Sequence, residues 1–207
     1  MADALHKTPK QILTAYLPEK SVPYCLDLLT RYPFKLKLKK SRVTKAGDFC
    51  AHHGTSPTIT INHDLKPYLF LTTFIHEFSH HAVHLIYGNK PKAHGDEWKL
   101  AFKTFMQPIM EMEIFPPDLQ HALEIHLKDP MASSYSDSHL TQIFRRYSGE
   151  APPVILQHIQ EGMHFKLRGK LFKKGKLRRT RVLCLELKSG REYLVPLDAE
   201  ISLVVQT

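Results

Sequence analysis

Apolar and basic side chains alternate through Phe34-Lys35-Leu36-Lys37-Leu38-Lys39, a period of two that predicts a half-buried strand. A second strand is expected through Val43 before Gly47-Asp48. A third covers Thr58-Ile59-Thr60-Ile61, β-branched throughout and bounded by Pro57 and Asn62. Upstream, residues 8 to 32 read as two short helices interrupted near Pro18 and Pro23, because proline fits only a first turn or a break. Downstream, Asp64 as N-cap and Pro67 in the first turn open a helix that should run to a Gly88 C-cap, with Pro91 beyond. Another helix should start near Gly95-Asp96-Glu97-Trp98, whose acids suit a positive helix N-terminus, and end near Pro108. Pro116-Pro117-Asp118 opens one more, and Asp137 to Tyr147 a last one.

Beyond Pro152-Pro153 the pattern shortens. Strands are expected at Phe165 to Phe172, Arg179 to Leu187, Tyr193 to Pro196 and Ile201 to Val205, with turns at Gly162, Gly175 and Ser189-Gly190. The reading is therefore α+β. Residues 1–150 form a domain with a small sheet, a long helix and further helices, and residues 151–207 a small antiparallel sheet or barrel. No internal repeat is apparent.

The long helix carries His76-Glu77-Phe78-Ser79-His80. Residues i and i+4 share a helix face, so His76 and His80 can present two imidazoles to one ion. Glu77 lies about 100° further round and can hold the attacking water as general base without being a ligand. On the same wheel Phe74, Ile75, Phe78, Ala82 and Leu85 form an apolar stripe opposite the two histidines, which should face a cleft. A catalytic zinc keeps three protein ligands and an open position. His84 stands about 12 Å along the axis from His76, too far to close a compact site. His81 points about 100° away from His80 and reads as packed. Val83 and Ile86 occupy the positions where a metzincin needs Gly and His, which excludes that group. Further along the chain, His94, after the turn at Gly88-Asn89-Lys90-Pro91, could return to the metal. Glu97 is a second candidate that reads equally as a first-turn carboxylate.

Composition narrows the class. The 207 residues are 43% hydrophobic and 24% charged, as in ordinary globular proteins. Cys25, Cys50 and Cys184 form no C-x-x-C pair, which argues against a disulfide framework or zinc ribbon and for a reducing compartment. Residues Met1 to Lys7 lack a secretory pattern. The apolar run from Tyr68 to Ile75 is far shorter than the roughly 20 residues that span a bilayer. A cytoplasmic chain with no membrane contact is expected, nucleoid association included. The net charge of +9 is concentrated: Met163 to Arg191 holds eleven bases against Glu186, while the remaining 18 bases and 19 acids nearly cancel. Lys166, Arg168, Lys170, Lys173, Lys174, Lys176, Arg178, Arg179 and Arg181 are the candidate contacts to a nucleic-acid backbone.

His76-Glu77-Phe78-Ser79-His80 followed by His94-Gly95-Asp96-Glu97-Trp98 resembles the SprT-like metallopeptidases, the group that includes Spartan. These pair H-E-x-x-H with a third histidine in an H-G-x-x-aromatic element. Ile59-Thr60-Ile61-Asn62 and Leu65 look like the family's strand and asparagine ahead of the metal helix. The resemblance covers roughly residues 8 to 112. It implies a zincin-like, minigluzincin fold, one zinc on His76, His80 and His94, and Glu77 as the catalytic residue. For Spartan-type members it further implies cleavage of proteins bound or crosslinked to DNA. The chain departs from the pattern at its C-terminus, where many members carry a four-cysteine zinc ribbon and this one has only Cys184.

The expected function is zinc-dependent proteolysis of DNA-associated proteins. Two other classes compete: a non-proteolytic nucleic-acid-associated protein with a zinc site, and a metallohydrolase of small amides.

Overall fold

A computed structural model describes residues 7–42, 44–52, 54–131, 137–149 and 154–204. The chain divides into two compact units, 1–150 and 151–207, each with its own apolar core. It is an α+β structure with six α-helices and two sheets among the described residues.

In the first unit, α1 (Pro9–Tyr16) begins with a capping box. Thr8 Oγ1 accepts from the Gln11 amide, and the Gln11 side chain accepts from the Thr8 amide at 2.8 Å. A single 3-10 turn (Glu19–Ser21) leads into α2 (Val22–Arg31). Pro23 does not interrupt this helix. It occupies the first turn, where the missing amide costs nothing.

Strands β1 (Lys35–Lys39), β2 (Gly47–Cys50) and β3 (Thr58–Asn62) form a sheet in the order β1-β3-β2, with β1 parallel and β2 antiparallel to β3. The period of two sends Leu36, Leu38, Ile59 and Ile61 into the core and Lys35, Lys37 and Lys39 to solvent. The second strand starts at Gly47, and Val43 lies outside the described residues. Asn62, 2% exposed, ties the β1–β2 connection down. Its amide donates to the Arg42 and Lys45 carbonyls at 3.1 and 2.9 Å, and its oxygen accepts from Arg42 Nε at 2.8 Å.

Helix α3 (Pro67–Tyr87) packs against this sheet. Phe70, Phe74 and Phe78 are fully buried, each contributing about 1.5–3 kcal/mol of apolar burial. The helix begins after Lys66 rather than Asp64, because Pro67 takes the first helical position and leaves Asp64 too far upstream to cap it. Gly88, at φ 65°, ends it. Leu85, placed on the apolar stripe by the wheel, is instead 53% exposed, because the helix outruns the core in its last turn. Helix α4 (Asp96–Glu111) packs on α3 and carries Pro108 inside its last turn rather than stopping there. Helices α5 (Pro117–Lys128) and α6 (Ser138–Ser148) complete the unit. Asp137 caps α6 through the Leu140 amide and bonds the buried His126 at 3.1 Å.

The second unit is an antiparallel sheet in the order β7-β6-β5-β4-β8. The stretch from Phe165 to Phe172 is a hairpin, not one strand. β4 (His164–Leu167) turns into β5 (Lys170–Arg178) through Arg168 and Gly169, at φ 50° and 77°. Two consecutive positive φ values give the twist that a two-residue hairpin needs. β6 (Arg181–Glu186), β7 (Glu192–Pro196) and β8 (Ser202–Leu203) follow, and Val205 lies outside the described residues. Gly175 is not a turn. It lies within β5 at a register shift, where a Cβ would meet the Leu183 carbonyl oxygen at 2.4 Å.

Replacing Asn62 by Ala strands two carbonyls and a guanidinium that it now satisfies. A loss of about 2–3 kcal/mol is expected, read as a lower urea midpoint at unchanged slope. An unchanged midpoint would show that water replaces those bonds without cost.

Candidate metal centre

Helix α3 presents His76 and His80 one turn apart, and the chain reverses after Gly88 to bring His94 over them just before α4. The Nε2 atoms of His80 and His94 are 3.0 Å apart, and those of His94 and His76 are 3.1 Å apart. His94 Nε2 can carry at most one hydrogen. It could therefore meet both neighbours only by sharing that one hydrogen between two lone pairs, a weak three-centre arrangement, whereas one shared cation satisfies all three nitrogens directly. A tetrahedral ion at about 2.0–2.1 Å from each would hold them roughly 3.3 Å apart, within a few tenths of an ångström of the distances seen. The three residues are the group among the described residues able to hold a metal ion.

Burial holds all three imidazoles below the ordinary histidine range, His80 at about 4, with neighbouring histidines adding to the effect for His76 and His80 while Asp48 opposes it at His80. They are neutral at pH 7, the form in which a histidine is a ligand. His94 sits at φ 60°, the left-handed region that a non-glycine residue seldom occupies. That backbone turn aims its ring back toward α3. Trp98, 1% exposed, lies against all three rings, with centroids 4.6 Å from His76, 5.4 Å from His80 and 4.7 Å from His94. Its indole N–H donates to the His76 carbonyl at 3.3 Å. The aromatic position of the H-G-x-x-aromatic element is thus the floor of the site, a role that sequence spacing does not disclose.

Glu77, 7% exposed, lies beside the cluster on the wall of a cleft of about 390 Å³ that the three histidines also line. Burial, aided by the nearby Asp48, pushes its carboxyl up to about 8, against the opposing pull of Arg42, Lys45 and the Phe49 amide. The opposite wall is β2, through Gly47, Asp48 and Phe49. The close approach depends on Gly47: a Cβ there would stand 2.6 Å from both Glu77 Cγ and Oε1 and 2.8 Å from Thr73 Cγ2. No sequence signal marked that glycine. β2 is an edge strand. Asn62 N–H donates to Ala46 O, so by antiparallel alternation the backbone groups of Gly47 and Phe49 point away from β3.

The other sequence candidates lie elsewhere. His84 bonds Asn89 at 3.0 Å, Glu97 is exposed, and His81 is buried among Phe34, Phe49 and Phe78. In the second unit Lys166, Arg168, Lys170, Lys173, Lys176, Arg178, Arg179 and Arg181 are exposed. Lys174 is not a surface contact. Half-buried, it donates to the Leu156 and Ile159 carbonyls at 2.9 and 2.6 Å and serves its own unit's interior. Lys170 also pairs with Glu186 at 3.3 Å. No helix is long and apolar enough to cross a membrane.

No protein-family model, curated protein or solved structure matches the chain.

His94→Ala is expected to lower metal affinity by more than about 100-fold, beyond the loss typical of outer partners alone, while His84→Ala leaves it unchanged. Metal content by elemental analysis after dialysis against a weak chelator reads both. Equal retention by the two variants would exclude His94 as a ligand.

Proposed function

We propose that the chain is a zinc-dependent metallopeptidase of SprT-like type, acting on proteins bound or crosslinked to DNA. The observation that carries the reading is the convergence of three neutral imidazoles beside a buried carboxyl in a cleft walled by an edge strand. Three nitrogen donors with one open side suit a catalytic zinc, whereas a structural site closes with four ligands. The motif resemblance supports zinc over other ions that accept nitrogen donors.

A zinc ion in this site supplies Lewis acidity toward a carbonyl oxygen and acidifies a water. The chain's residues do the rest. Glu77 takes the proton of the attacking water and returns it to the leaving amine, a transfer that suits a carboxyl whose proton affinity burial has raised. Trp98 and the left-handed His94 keep the imidazoles in place. The outward backbone groups of Gly47 and the Phe49 carbonyl, the Phe49 amide being taken by Glu77, offer an extended peptide a strand edge to pair with, which favours a polypeptide over a small amide. The exposed bases of the second unit, above all Arg178, Arg179 and Arg181 around the β5–β6 turn, supply the attraction to a phosphate backbone.

Glu77→Gln should keep about one zinc per chain and lose roughly 10²–10⁴-fold in cleavage of a DNA-bound protein. Undiminished cleavage would sink the mechanism, and turnover of a small amide with no peptide product would move the reading to that class. Gly47→Ala, which cannot keep the present spacing to Glu77, should also retain zinc and lose at least about 10-fold in activity. Parental activity in that variant would show that Glu77 works from another position.

A further inference from the structure

The first unit carries 18 bases against 15 acids, a modest surplus of +3, yet its bases are not evenly spread. Lys35, Lys37, Lys39, Lys40, Arg42 and Lys45 follow one another with no acid between Asp27 and Asp48. Lys35, Lys37 and Lys39 all stand on the solvent face of β1, so their Cα atoms are about 6.6 Å apart, near twice the 3.4 Å axial rise per phosphate of a DNA strand. Beside them on that face run Thr58 and Thr60 of β3. Lysines on an edge strand also guard against sheet-to-sheet pairing, and for β1 alone that would be explanation enough.

The track does not stop at β1. A groove along Lys37, Lys39, Lys40 and Arg42 shares Ser41 and Arg42 with a second groove of about 160 Å³, lined also by Lys66 from the start of α3. That second groove shares Leu69 with the metal cleft. Arg42 is held in place at the junction, donating through Nε to Asn62 Oδ1 at 2.8 Å and through Nη1 to Thr60 Oγ1 at 3.2 Å. With its Nη2 bond to the Thr60 carbonyl, three of five donors are used and two remain for a ligand. Among the described residues no carboxylate pairs with Lys35, Lys37, Lys39, Lys40 or Lys66. Lys45 is neutralised by Asp48 at 2.7 Å, and Asp64 is the one carboxylate lining either groove. Edge protection needs neither a fixed guanidinium nor cations from three separate segments along continuous grooves.

We infer that this face of the first unit binds a nucleic-acid phosphate backbone and leads it to the rim of the metal cleft. The site is separate from the basic residues of the second unit and does not depend on the peptidase reading, because binding can be measured without cleavage. Phosphate oxygens are met by Lys35, Lys37, Lys39 and Lys40 along the strand and by Arg42 at the junction. The track's cations address phosphates, which carry no sequence information, so binding is expected to be independent of sequence.

The test uses the full chain carrying Glu77→Gln and a fluorescein-labelled 20-base single strand, titrated by anisotropy across a salt series. Lys35→Glu/Lys37→Glu/Lys39→Glu should weaken binding at least about 10-fold and reduce the salt slope by about 2, as expected for three lost phosphate contacts at roughly 0.7 each. The matching Lys→Arg triple variant should bind as the parent does. Arg178→Glu/Arg179→Glu/Arg181→Glu tests the second unit separately. Loss only in that arginine variant, with the lysine variant at parental affinity and slope, overturns the inference while leaving the second unit's role intact. No DNA binding by the parent overturns both. Labelled polyglutamate bound as tightly as the DNA strand, and lost in the lysine variant, would reassign the face to an acidic protein partner. Zinc content and far-ultraviolet circular dichroism matching the parent ensure that a loss reports the surface rather than the fold.

Discussion

Three converging imidazoles in a partly buried pocket, with His94 Nε2 3.0 and 3.1 Å from those of His80 and His76, are the constraint around which the first unit is organised. Without a shared cation they have at best one hydrogen shared between two lone pairs, so the fold must hold them in an arrangement they would not choose. Several features bear that cost. The i, i+4 pair is rigid because α3 is buried along most of its length, with Phe70, Phe74 and Phe78 locking its rotation. His94 is forced into a left-handed backbone by the short return from Gly88 to Asp96. Trp98 fills the space beneath the three rings and, by bonding the His76 carbonyl, fastens α4 to α3 at the level of the site. Strain of this kind persists only where the surroundings over-determine it.

The sheet is the second partner in this arrangement. Glu77 can sit beside the histidines only because β2 approaches α3 closely at a residue with no side chain. The height of β2 is in turn set by its pairing with β3 and by the buried Asn62, which gathers the connection before β2 with three hydrogen bonds. A residue on the neighbouring central strand thus governs the position of a carboxyl in the cleft. The same asparagine holds Arg42 across Thr60, so the anchoring of the cleft wall and the placement of the cationic junction are one piece of chemistry.

Much of this was legible where the signal is local. The alternation at Phe34 to Lys39 and the β-branched run at Thr58 gave strands, and the i, i+4 spacing gave the histidine pair, because both follow from backbone period alone. His94 needed the added H-G-x-x-aromatic resemblance, since spacing could not decide its reach against that of Glu97. What stayed hidden depends on contacts between distant segments: the approach at Gly47, the role of Trp98 under three rings, and the retirement of Lys174 to two carbonyls. Pro108 misled for a related reason. A single lost amide in a last turn is tolerable when Phe102, Met106 and Ile109 are buried around it. Charge was read least well. Counting bases along the chain assigned the surplus to residues 163–191, whereas fields add in space, and β1 with its following loop assembles a cationic face within a unit whose total is only +3.

That face bears on how a cleft of this design could choose a substrate. A strand edge that pairs with extended backbone discriminates little among side chains, and β2 is only four residues long. Its contribution to affinity is correspondingly small. Selectivity then has to come from what delivers the polypeptide. A surface that holds a phosphate backbone next to the cleft turns the meeting of enzyme and attached protein into an intramolecular event, raising its effective concentration without any new contact at the metal. Chains not attached to nucleic acid would meet the same cleft at their bulk concentration and gain nothing. On the proposed reading, weak peptide pairing would be no defect: it would keep free proteins from being cut, while the cationic track would supply the affinity for those that are tethered.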